Sequence, residues 1–162
     1  MDLSSAIATY FHGEKNGGLI LVLVAVCGIS IAAILSPIRY ELRAFCTTMG
    51  ILALSLFALG LGLYLKTDAQ VSALHTSLAS GGLAVEVARM ARVQQNFVVL
   101  EWVWLALIAG SAIVAVTCKH HATVGQVALA FLFALSTLLC FDVIAERRGA
   151  AYYAALRAVA AK

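Results

Sequence analysis

The side chains able to do chemistry in this chain stand at the borders of long apolar runs. In FDVIAERRGAAYY, Asp142 and Glu146 lie four residues apart, on one face of a helix, with Arg147 and Arg148 directly behind them. Glu14 and Lys15 precede one apolar run, Arg89 and Arg92 precede another, and Glu101 lies one turn inside it. A charge at the centre of a spanning helix costs about 2.5 to 3.5 kcal/mol and less near the interface, so Glu101 and Asp142 must face protein or water. Carboxylates held beside arginines can bind a polar headgroup, handle a proton or dock a partner. The same residues can equally form inter-helix ion pairs that fix helix register. In that second reading Asp142 pairs with Arg89, Arg92 or Lys15.

Other chemistries lack their residues. Cys27, Cys46, Cys118 and Cys140 are scattered with no C-x-x-C spacing, which speaks against thiol redox chemistry or a zinc knuckle and for ordinary buried small side chains. Only Cys46 and Cys118 would share a surface where a disulfide is feasible. The consecutive histidines of Cys118-Lys119-His120-His121 point about 100° apart on a helix and read as a polar loop. No histidine falls in mid-span, where the axial ligands of a transmembrane haem belong. No nucleotide loop or nucleophile constellation is present. The reading therefore contains no catalytic residue, no metal site and no cofactor. The net charge of +3 is spread beside apolar segments, so nothing resembles a nucleic-acid footprint.

The elements that must position the charges follow from composition. With 63% hydrophobic and 12% charged residues, against roughly a quarter charged in soluble domains, the chain belongs in a lipid bilayer. Residues 1–162 read as a single membrane domain. Its spans are residues 17–35, 44–65, 97–117 and 123–145, each near the ~20 apolar residues that cross ~30 Å of hydrocarbon. The first is too long for a cleaved signal core and is expected to be retained. The predicted fold is all-α: four transmembrane helices in an up-down-up-down bundle with interfacial or cytoplasmic helical extensions.

Ser36-Pro37 should end the first helix. In the connection 66–96, Asp68 should cap a short helix carrying Val71, Leu74 and Leu78. Ser80-Gly81-Gly82 should break it, and a helix from Leu83 can run unbroken through the third span. At the two termini, Leu3, Ile7 and Tyr10 share a face, as do Tyr152, Leu156 and Val159. Both faces read as interfacial anchors.

Lys15, Lys66, Arg89, Arg92, Arg147, Arg148, Arg157 and Lys162 fall on one side of this scheme, with Arg39, Arg43 and Lys119 on the other. The positive-inside rule then places both termini in the cytoplasm. Trp102 and Trp104 suit the aromatic belt on that side. The starts of spans one and three and the end of span four meet there, gathering Glu14, Lys15, Arg89, Arg92, Glu101, Asp142, Glu146, Arg147 and Arg148 into one candidate binding cluster. Small-x-x-x-small pairs (Gly28/Ala32, Ala58/Gly62, Ala106/Gly110, Ala130/Ala134) allow close helix packing in every span.

The stretches YFHGEKNG, ARMARVQQNF followed by Glu101, and FDVIAERRGAAY resemble small four-span proteins of bacterial inner membranes. That resemblance spans nearly the whole chain and implies a bacterial inner-membrane home, without assigning a site. The functional expectation is a non-enzymatic interaction protein binding another membrane component. Its concrete forms are an immunity protein against a membrane-active toxin and an accessory subunit. The alternative is binding or transport of a lipid, quinone or proton at the polar cluster. The expected partners are the lipid bilayer and a membrane protein or toxin; oligomeric state is left open.

Overall fold

The computed structural model describes residues 3–118 and 121–161. Lys119, His120 and Lys162, which entered the charge asymmetry and the polar-loop reading, lie outside them. Four long helices fill the described chain: α1 (Leu3–Ile38), α2 (Arg43–Ala79), α3 (Leu83–Thr117) and α4 (Ala122–Ala160), with a 3₁₀ turn at Tyr40–Leu42. Each is long and apolar enough to cross a membrane. At 35 to 39 residues each rises about 50 to 60 Å, well beyond the ~30 Å of hydrocarbon.

Three local expectations are corrected. Pro37 does not end α1; it lies inside the last turn, and the helix closes one residue later at Ile38. Asp68 caps nothing, because α2 is continuous from Arg43 to Ala79 and the carboxylate pairs with Lys15 instead. The faces read as interfacial anchors are largely buried between helices. Ala6, Ile7 and Phe11 of α1 meet Leu74 of α2, Met90 of α3, and Tyr152 and Leu156 of α4 in one core, with Leu3 and Tyr10 packed against it. Val159 alone among the anchor residues stays exposed.

The break after α2 is where the sequence places it. Gly81 adopts φ +83°, a left-handed conformation that glycine reaches without strain, and α3 then runs unbroken from Leu83 to Thr117.

In the apolar portion a different packing rule holds. Ala32, Cys46, Met49 and Ala130 form one cluster and Leu21, Ala25 and Leu56 another, joining α1, α2 and α4. Backbones approach closely at the α1/α2 crossing, where a methyl added to Gly18 would lie 2.7 Å from the Gly60 carbonyl oxygen. α4 lies against α1, α2 and α3, whereas the backbone of α3 packs mainly on α4. The most apolar stretch of α3 contains no buried residue (0%), compared with 28%, 28% and 22% for those of α1, α2 and α4. The cysteines are all free, and only Cys46 is buried; Cys27 and Cys140 are exposed, so the buried-side-chain reading fails for them.

Candidate functional site

The predicted cluster separates into groups. Lys15 turns to the outside of the α1/α2 pair, where its Nζ lies 2.7 Å from Asp68 and 4.9 Å from the centre of the Tyr64 ring. That hydrogen bond to Asp68 raises the Lys15 pKa. Arg89 pairs within α3, its Nε and Nη2 each donating to Glu86 at 2.7 Å. Glu86 is buried, and the Tyr152 hydroxyl donates to it at 3.0 Å. Arg92 and Arg147 are exposed. Glu101 on α3 stands close enough to Glu146 and Asp142 on α4 to interact with both, and its Oε1 is buried without a hydrogen-bond partner.

Asp142 does not pair with Arg89, Arg92 or Lys15. Its Oδ2 accepts a 2.6 Å hydrogen bond from the Trp104 indole. The reason is geometric: Lys15 and Arg89 are taken up by Asp68 and Glu86, while α3 lies directly on α4 and brings its indole to the carboxylate.

What does converge is a cavity of about 310 Å³ lined by all four helices. Tyr10 and Glu14 come from α1, Leu59 and Leu63 from α2, Phe97, Leu100 and Trp104 from α3, and Leu138, Phe141, Asp142, Ala145 and Arg148 from α4. Arg148 reaches across to donate to the Gly13 carbonyl, crossing α1 where Gly13 has no side chain to obstruct it. Glu14 is half-buried. Burial pushes its carboxyl above the usual range, while Arg89, Arg148 and Lys66 pull it back. Burial likewise pushes Tyr10 up to about 12, so its phenol stays neutral beside the cavity.

Of the predicted set, then, the cavity unites Glu14, Asp142 and Arg148 and leaves out Lys15, Arg89, Arg92, Glu101, Glu146 and Arg147. The sequence reading missed Tyr10 and Trp104 as lining residues because both also fit an interfacial belt. Glu86 and Arg89, expected to pair between helices, instead pair within α3, as their i,i+3 spacing allows. Among the described residues no group of three or more His, Cys, Asp or Glu could hold a metal ion. Apolar walls interrupted by two carboxylates and a guanidinium suit an amphiphile.

A second concavity lies on the outer side of α3 and α4, about 360 Å³ between Ala106, Leu107, Gly110, Ser111 and Val114 of α3 and Val124, Val127, Ala128 and Phe131 of α4. A methyl added at Gly110 would meet nothing within 4 Å, so this glycine serves no contact inside the chain. Gly28, by contrast, faces Ala53 and Met49.

Compared with family models, curated proteins and solved structures, the chain matches none.

Proposed function

We propose that this chain is a non-enzymatic protein of the bacterial inner membrane. In this reading it is an up-down-up-down bundle with both termini in the cytoplasm, and it binds a transmembrane helix of another membrane protein along the outer α3/α4 groove. An accessory subunit and an immunity protein against a membrane-active toxin are the two concrete forms. The observation that carries this is the idle Ala106/Gly110 pair. Small residues at four-residue spacing let helices approach closely in lipid, yet Gly110 faces open space in a groove walled by apolar side chains. No residue in the most apolar stretch of α3 is buried by the chain itself (0%).

The test is co-isolation from native membranes with wild-type chain and with Gly110→Leu. The proposal expects a defined partner held by the wild type and lost from Gly110→Leu, with an unchanged melting temperature because the space beside Gly110 is open. Equal recovery with both chains, or recovery of lipid alone, overturns it. For the immunity form, cells producing the chain should survive the cognate toxin and those producing Gly110→Leu should not.

A further inference from the structure

We propose that the four-helix cavity at Glu14, Asp142 and Arg148 binds the headgroup of an aminophospholipid. This site is separate from the α3/α4 groove, shares no lining residue with it, and stands or falls independently.

Glu14 lines the cavity half-buried, with Arg89, Arg148 and Lys66 near enough to act on its charge but, among the described residues, no hydrogen bond to its carboxylate. Asp142 lines it with one bond accepted, from Trp104, and further lone pairs free. Arg148 spends one N–H on the Gly13 carbonyl, and a guanidinium carries five donors. Two acceptor-rich carboxylates and one donor fork therefore face a space of about 310 Å³. A ligand that satisfies both must present a hydrogen-bonding cation and an anion a few bonds apart. A primary ammonium joined through a short linker to a phosphate does so: the ammonium supplies three donors to Glu14 and Asp142, and the phosphate accepts from Arg148.

The rest of the lining selects a lipid over a soluble zwitterion. Leu59 and Leu63 of α2 and Phe97 and Leu100 of α3 all line the cavity, while the backbone of α3 packs mainly on α4. The backbones of α2 and α3 scarcely touch, so acyl chains seated on these side chains would leave between the two helices. A trimethylated ammonium cannot donate to the carboxylates, and a headgroup without a cation brings them no new cationic donor. Choline and glycerol headgroups are therefore excluded on the same chemistry.

The experiment is native mass spectrometry of the full chain released from detergent and titrated with phosphatidylethanolamine, phosphatidylcholine, phosphatidylglycerol or free phosphoethanolamine. The expected result is retention of phosphatidylethanolamine about tenfold over the other lipids, the difference made by one charge-assisted hydrogen bond, and no retention of the free headgroup. Glu14→Gln with Asp142→Asn should abolish the preference, and Leu100→Trp should reduce occupancy of every lipid by filling the cavity. Equal retention of all three lipids, or an unchanged preference in the double variant, overturns the proposal, and retention of free phosphoethanolamine overturns the lipid assignment. Photocrosslinking of the unmodified chain with a diazirine-bearing phosphatidylethanolamine does not depend on any variant folding. Adducts on residues 59–63, 97–104 and 138–148 support the site, and adducts spread evenly along the helices overturn it.

Discussion

The two ends of α3 pack by different rules. Near its start, Met90 is fully buried with Phe11, Leu74, Tyr152 and Leu156 from the other three helices, a core of large side chains. Toward its end the helix rests on α4 with Trp102, Leu107 and Ile113 exposed, and the buried residues of the neighbouring helices are mostly small: Ala25, Ala32, Ala53, Ala128, Ala130 and Ala134. In water, burying a large apolar side chain contributes roughly 1.5 to 3 kcal/mol, so a core of Phe, Leu and Tyr holds four helices together. In lipid that driving force between helices is absent, and association rests on close backbone approach through small residues. The contrast is what a bundle half outside and half inside a bilayer should show.

Truncating the large-residue core should have the largest effect. Leu156→Ala is expected to cost about 2 to 5 kcal/mol, read as a fall in melting temperature in detergent, whereas Leu107→Ala, already facing outward, should stay close to the parent. Equal losses at the two sites would erase the distinction. The small-residue seam gives the next test. Gly60→Val drives a branched side chain into the Gly18 backbone and should cost about 1 to 3 kcal/mol, while Gly110→Val meets open space and should be neutral.

Alkaline titration separates the ends without mutation. Burial raises Tyr10 to about 12 and raises Tyr152 further, and the two rings stack at 4.9 Å in the large-residue core. A phenol with a raised folded pKa contributes stability that is complete below its unfolded value of about 10 and is lost as pH rises through the folded one. Melting temperature should therefore fall between about pH 10 and 12 while tyrosinate absorbance rises, and Tyr10→Phe should flatten that fall. The smallest effect belongs to the exposed Lys15–Asp68 pair, where Asp68→Asn should leave melting unchanged at moderate salt.

Much of the architecture was legible because hydropathy and helix-breaking residues act locally. The four apolar runs are each contained in one helix, and Ser80-Gly81-Gly82 breaks the chain between α2 and α3. Lateral contacts were not legible. Ile7, Tyr152 and Leu156 have the same spacing whether their face meets headgroups or another helix, so the terminal core looked like two anchors. Asp142 lies near several cations in any plausible bundle, and only the pairing of α3 with α4 decides that Trp104 reaches it first. Of the cavity, Glu14, Asp142 and Arg148 could be named from charge at a span border. Leu59, Leu63 and Leu100 could not, because nothing local distinguishes a cavity wall from a lipid-facing leucine.

The most direct test of the account is site-specific photocrosslinking in native membranes, with a photoreactive residue placed at Gly110 in the α3/α4 groove or at Ile34, which is exposed on α1. The account predicts a discrete protein adduct from Gly110 at a mass set by a single partner, and lipid adducts alone from Ile34. Lipid adducts alone from both positions would show that the open half of α3 faces only the bilayer, and would contradict it.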